Sequence, residues 1–305
     1  MYGQGWVWIG LVCALVVACL VAFWVYRQRI ERRRPTPKKA EDAALVARKP
    51  AVERRVAVRK LTTTRHPIVL AHGWGGIDGV LPVWFGYSYF RGIPEALRAN
   101  GHLVHVARVP PIASIERRAE RLARQIRRFD KPVNIIAHSM GGLDARLAIA
   151  RHGLSDHVAS LTTIGTPHHG TPLADIAFLL GDFRRSRWLL SRLGVNIDGV
   201  YDVSPTRMLE FNRLVLDAPG VLYKNVVAAV SPDTGRVHAA LWYGYRYLLR
   251  TAGPNDGIVP AGSQRWGETV ETVDADHWEQ IGWFPRFDVH AFYARIIHHL
   301  AEREL

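Results

Sequence analysis

The sequence predicts an α/β domain with a mostly parallel sheet, on three observations. Short apolar runs suited to buried parallel strands recur at Pro67–Ala71, Leu103–Ala107, Val133–Ala137 and Val158–Ile164. Between the second and third of these, Ile115, Ala119, Leu122, Ile126 and Phe129 fall at helical spacing with arginines between them. Val289, Phe292, Tyr293, Ile296, Ile297 and Leu300 mark a closing amphipathic helix. Val221–Val230 and Thr269–Val273 add two further strand candidates. Strands alternating with helices from Leu61 to Leu305 require a layered α/β arrangement, and no internal repeat is present.

Composition bounds the rest. The chain has 305 residues, 48% hydrophobic and 22% charged, which excludes collagen-like, coiled-coil and wholly disordered architectures. The net charge of +13 is concentrated in one segment. Residues 27–60 carry 13 basic and 4 acidic side chains, whereas residues 61–305 carry 27 and 23. A nucleic-acid partner is therefore not expected. The only cysteines, Cys13 and Cys19, precede the α/β domain, so no disulfide framework can staple it.

The segment before the domain divides in two. Trp6 to Tyr26 is 21 residues without a charge. At about 1.5 Å per residue it spans roughly 30 Å, the thickness of a bilayer hydrocarbon core. Trp6, Trp8, Trp24 and Tyr26 sit at its ends, where aromatic belts form. A cleaved signal peptide would need a basic start and a shorter apolar run. Residues 1–26 are thus expected to be a transmembrane anchor and 27–60 a basic, proline-containing linker. The linker arginines serve as an orientation signal, with attraction to anionic headgroups as a second role. Because the flank after the anchor opens with five arginines within eight residues, the domain is expected on the cytoplasmic side, with the periplasmic or extracellular side as the alternative.

Three stretches carry chemistry. In VNIIAHSMGGLDARLAI an apolar strand runs into Ser139 and a helical pattern follows. A serine hydroxyl is a weak nucleophile that must be aimed at a base, and a tight strand-to-helix turn does this. Such a turn needs small residues two before and two after, here Ala137 and Gly141. A helix starting at Ser139 would point its positive end at a developing oxyanion. The second stretch, PIVLA followed by His72-Gly73-Trp74-Gly75-Gly76, supplies a strand-end loop whose amides can face the nucleophile. The expected oxyanion donors are the backbone N–H groups of Trp74 and Met140. The third is GPNDGIVP with Asp256, followed 21 residues later by His277. The order serine, acid, histidine assigns Ser139 as nucleophile, His277 as base and Asp256 as its orienting acid.

Competing residues are assigned lesser roles. Asp274 and Asp276 flank His277 too closely in sequence to reach it from a separate strand end. Asp144 reads as a structural hydrogen-bonder one turn inside the helix. His290, His298 and His299 belong to the closing helix, and His168 and His169 could line the site. The aromatic stretch Trp84, Phe85, Tyr87, Tyr89, Phe90 is either acyl-pocket lining or core.

These segments, together with VWFGYSYFRGIPEALRANGHLVHVARV and LTTIGTPHHGTPLAD, resemble bacterial triacylglycerol lipases of the Pseudomonas and Burkholderia type from about His66 to Gly282. The resemblance implies an α/β-hydrolase fold with a helical cap or lid, here 171–220, within a catalytic domain at 61–305. It implies carboxylic-ester hydrolysis on lipid-type substrates, with Ser139, Asp256 and His277 at the triad positions and Trp74 and Met140 at the oxyanion-hole positions. Acyl transfer by the same triad and a catalytically silent membrane-tethered scaffold are the alternatives. The resemblance also implies a structural calcium with an Asp two residues after the histidine. Glu279 stands there and no second Asp ligand is evident upstream, so no cofactor or metal is expected. Oligomeric state is not legible.

Overall fold

All six anticipated strands form one sheet in the computed structural model, which describes residues 63–76, 88–175 and 198–305 within a compact unit, Val58–Leu305. The anchor at 6–26, the linker at 27–60 and the middle of the cap region lie outside the described residues. So do Trp84, Phe85 and Tyr87. Among the described residues no helix is long and apolar enough to cross a membrane.

The strands are β1 (Ile68–Ala71), β2 (Val104–Val106), β3 (Val133–His138), β4 (Val158–Ile164), β5 (Leu222–Ala228) and β6 (Glu268–Val273). They lie in the order β2-β1-β3-β4-β5-β6, and every pair is parallel. The helices are α1 (Ile93–Ala99), α2 (Ile115–Ile126), α3 (Gly141–Arg151), α4 (Asp198–Asp202), α5 (Pro205–Leu214), α6 (Trp242–Thr251) and α7 (Val289–Ala301). The α2 stripe ends at Ile126, so Phe129 packs from beyond the helix.

Alternate strand residues feed two cores, which is why the central strands read as continuous apolar runs. Val69, Ala71, Ile135 and Ala137 pack with α2 and α3 on one face. Ile68, Leu70, Ile136, Ile164 and Val226 pack with α1 and α7 on the other. Each fully buried Ile, Leu or Val contributes about 1.5–3 kcal/mol. The edge strand β6 instead presents Glu268 and Glu271, which pair with Arg303, just beyond α7, and Arg295 of α7.

The strand order also positions the site. The chain leaves β1 toward β2 and then crosses back to β3, so β1 and β3 are neighbours whose following segments diverge. Ligands in parallel α/β sheets bind at such a reversal, outside the carboxyl ends of the strands. Ala71 pairs with Ala137, which sets the loop after β1 directly beside the turn after β3.

Candidate active site

Ser139 follows β3 with φ 57°, one of two non-glycine residues with positive φ among the described residues. Its N–H donates to the Ile164 carbonyl at 2.9 Å, and its own carbonyl accepts from Thr166 Oγ1 at 2.7 Å. The strained conformation is thereby held from β4. The helix begins at Gly141, two residues later than the sequence suggests, because a left-handed Ser139 cannot be part of a right-handed turn. The small residue at 141 is a steric requirement: a Cβ there would lie 2.5 Å from the Ala71 carbonyl oxygen.

Ser139 Oγ lies 3.0 Å from His277 Nε2, and His277 Nδ1 lies 2.7 Å from Asp256 Oδ2. The carboxylate can only accept, so Nδ1 carries the proton and Nε2 is left to accept from the serine hydroxyl. Asp256 is fully buried. Its Oδ1 accepts from the amides of Ile258 and Val259 at 3.0 and 2.7 Å, and the His277 amide donates to the Asp256 carbonyl at 2.9 Å. The acid loop and the histidine loop are thus locked to each other across 21 residues.

The loop after β1 reaches the same point. A Cβ on Gly73 would lie 2.7 Å from Ser139 Cβ, so only glycine allows this approach. The amides of Trp74 and Met140 donate to no acceptor among the described residues, whereas the Gly75 amide is taken by Pro111. Below the loop, the fully buried Arg118 of α2 donates to the His72 and Pro110 carbonyls at 2.7 and 2.8 Å. Its Nε donates to Asp144 of α3 at 2.9 Å. Burial, outweighing the Arg118 charge, pushes the Asp144 carboxyl up to about 6. One buried cation therefore ties α2, the β1 loop and the first turn of α3 together. Burial, followed by the Arg118 charge, drives the His72 imidazole down to about 4, so the ring is neutral.

A cavity of about 620 Å3 opens beside Ser139, lined by Trp74, Met140 and His277 and by apolar side chains including Leu173, Val203 and Trp278. That volume is within the range of small-molecule sites. Tyr89 lines it and also packs in the core with Phe90, so both readings made of the aromatic stretch hold for its described residues. His168 does not line the cavity. It is buried between Thr163 and Arg146, and Arg146 in turn donates to Asn212 of α5 and lies 3.4 Å over Trp266.

The rival acids have other duties. Asp144 holds Arg118, as above. Asp276 Oδ1 accepts from the Trp278 and Glu279 amides, and its Oδ2 accepts from His238. Glu279 accepts from the Asp276 amide and faces Arg286 at 3.4 Å. Among the described residues no group of three or more His, Cys, Asp or Glu is arranged to hold a metal.

Sequence reasoning missed Arg118, His138 and Gln280. Arg118 left a signal, since it falls on the apolar face of α2, three residues after Ile115 and four before Leu122. His138 and Gln280 are fully buried beside the site, and nothing in their spacing announced it.

Comparison with known proteins agrees with this architecture. Residues 112–184, which include the Ser139 turn, match the family model described as a PGAP1-like alpha/beta domain. Triacylglycerol lipase 2 of Saccharomyces cerevisiae is 32% identical over 207 residues, covering 64% of this chain and 63% of the relative. A triacylglycerol lipase of Vibrio cholerae is 42% identical over 120 residues, covering 38% and 36%. The chain therefore spans from about a third to just under two thirds of these relatives. Among solved structures, the mature Bacillus licheniformis lipase BlEst2 superposes with a TM-score of 0.59 at 26% identity, covering 75% of this chain and 91% of that one. The metagenomic carboxyl esterase MGS0156 has the same fold, with a TM-score of 0.67 at 18% identity, covering 85% and 82%.

Proposed function

We propose that this α/β-hydrolase, similar to triacylglycerol lipases, is a membrane-anchored serine ester hydrolase that cleaves carboxylic esters of lipid type through an acyl-enzyme. The observation that carries the reading is the continuous Ser139–His277–Asp256 hydrogen-bond chain, with two amides that have no acceptor among the described residues at the mouth of an apolar cavity. His277 Nε2 takes the Ser139 proton as Oγ attacks the ester carbonyl. Asp256 holds the tautomer and offsets the imidazolium charge. The oxyanion settles against the Trp74 and Met140 amides, each donor being worth about 2.7–4 kcal/mol. His277 then hands the proton to the departing alcohol, and the same steps with water release the acid. An alcohol in place of water would make the reaction an acyl transfer.

Lipid-type esters are favoured by the apolar cavity lining and by the lipase relatives. The uncharged stretch at 6–26 and the arginines after it support an anchor with the catalytic domain on the cytoplasmic side. No metal takes part in the proposed chemistry. The test compares wild type and Ser139→Ala on p-nitrophenyl esters of increasing chain length, with and without lipid vesicles. Turnover that rises with chain length and vanishes in the variant supports the reading. Equal activity of the two proteins refutes it, and preference for short soluble esters moves the substrate from lipid to small ester.

A further inference from the structure

Gln280 is fully buried in the turn Glu279–Ile281, three residues after His277, and does not line the cavity. Its Nε2 donates to Asp256 Oδ2 at 2.9 Å, the oxygen that also accepts from His277. With the two loop amides on Oδ1, the carboxylate receives four donors. Since a carboxylate only accepts, the amide NH2 must face it, and the Gln280 carbonyl oxygen points away.

Among the described residues that buried oxygen has no partner of good geometry, and neither has Nε2 of His138. Gln280 is nevertheless among the groups that favour a proton on His138, although burial, then the charge of His277, hold that ring well below the usual histidine range. On the other side, His138 Nδ1 lies 2.8 Å from the Tyr89 hydroxyl. With the Tyr89 O–H on Nδ1, the His138 proton sits on Nε2, where the Gln280 carbonyl oxygen and the His277 carbonyl both favour it, while the Gln280 amide donates to Asp256. The space for this is made by Gly165 at φ 57°, where a Cβ would lie 2.3 Å from Gln280 Oε1 and 3.1 Å from Asp256 Oδ2. The end of β4 thus lacks a side chain where Gln280 sits.

We infer that Gln280 is a positioning residue that fixes the Asp256 carboxylate against His277 through an uncharged donor, itself steadied by His138 and Tyr89. The inference builds on the triad reading above but concerns a residue that touches no substrate. The titratable groups around Gln280 are Asp256 from the acid loop, His277 from its own loop and His138 from β3, with Tyr89 behind His138. Asp276 and Glu279 of the same turn are engaged with backbone amides and Arg286.

The test uses the full chain in lipid nanodiscs and two variants. Gln280→Leu removes the donor without adding charge. Its kcat on a p-nitrophenyl ester falls about 10- to 100-fold with KM within about twofold, the scale of a small misplacement of catalytic groups. The low-field proton resonance of His277 Nδ1–H shifts or disappears in the same variant. Gln280→Glu restores a donor only while the new carboxyl is protonated, so its kcat relative to wild type declines from about pH 5 to about pH 8 as two adjacent carboxylates resist joint ionisation. Wild-type kcat and an unchanged resonance in Gln280→Leu overturn the inference, as does a pH-independent ratio in an active Gln280→Glu. The resonance is read without turnover. A wild type that shows it but hydrolyses no ester therefore counts against the proposed function alone, and the Leu variant's spectrum still decides the role of Gln280.

Discussion

Ser139 offers a stability test that separates strain from chemistry. At φ 57° a residue with a Cβ pays roughly 1–2 kcal/mol for the left-handed conformation, and the bonds to Ile164 and Thr166 leave it no room to relax. Ser139→Ala keeps that strain and loses the hydroxyl contact with His277, worth about 1 kcal/mol. Ser139→Gly loses the same contact and also the strain, against about 0.5–1 kcal/mol of extra backbone entropy in the unfolded chain. The glycine variant should therefore be more stable than the alanine variant by about 0.5–1 kcal/mol, the reverse of the order at an ordinary helix or strand position. For a domain of this size that is a Tm difference of roughly 1–4 °C. Urea unfolding of the two inactive variants, under identical conditions, measures it. An alanine variant as stable as the glycine variant, or more so, would refute the claim that the turn stores strain at its nucleophile.

Further outcomes follow from other parts of the site. The His72 imidazole is lowered from 6.5 to about 4, so the stability it contributes is complete above pH 6.5 and is lost as pH falls toward 4. At pH 5 the loss from this group is about 2 kcal/mol, and His72→Phe should show a correspondingly smaller drop between pH 7 and pH 5 in urea unfolding. EGTA should leave Tm unchanged, since the carboxylates of Asp276 and Glu279 are engaged with amides and Arg286. A large fall in Tm would establish a calcium site. Green fluorescent protein fused after Leu305 should fluoresce and alkaline phosphatase at the same point should be silent. The opposite pattern would put the catalytic domain outside.

The central strands of the sheet were legible in the sequence because they are buried on both faces, so largely apolar runs between polar segments mark them to within a residue or so. The Ser139 turn and the Trp74 loop were legible because steric demands at strand ends fix glycine and small residues at set offsets. Asp256 and His277 came from chain order, from the Pro/Gly-bounded loop that holds the acid, and from the resemblance at their positions. What stayed hidden was held by tertiary contact. Helix α6 carries a glycine in its first turn, Gly244, packed on the Gly257 carbonyl, and its aromatic-rich sequence has no plain apolar stripe. Gln280 and His138 take their meaning from partners 24 and 49 residues away, a distance at which no local pattern operates.

The most direct measurement is the intact mass of the protein after a fluorophosphonate probe, with the adduct located by peptide mapping. The account predicts a single adduct on Ser139, absent in Ser139→Ala and strongly slowed in His277→Ala. Labelling elsewhere, or none in a protein that is folded, would contradict the assignment of Ser139 as an activated nucleophile.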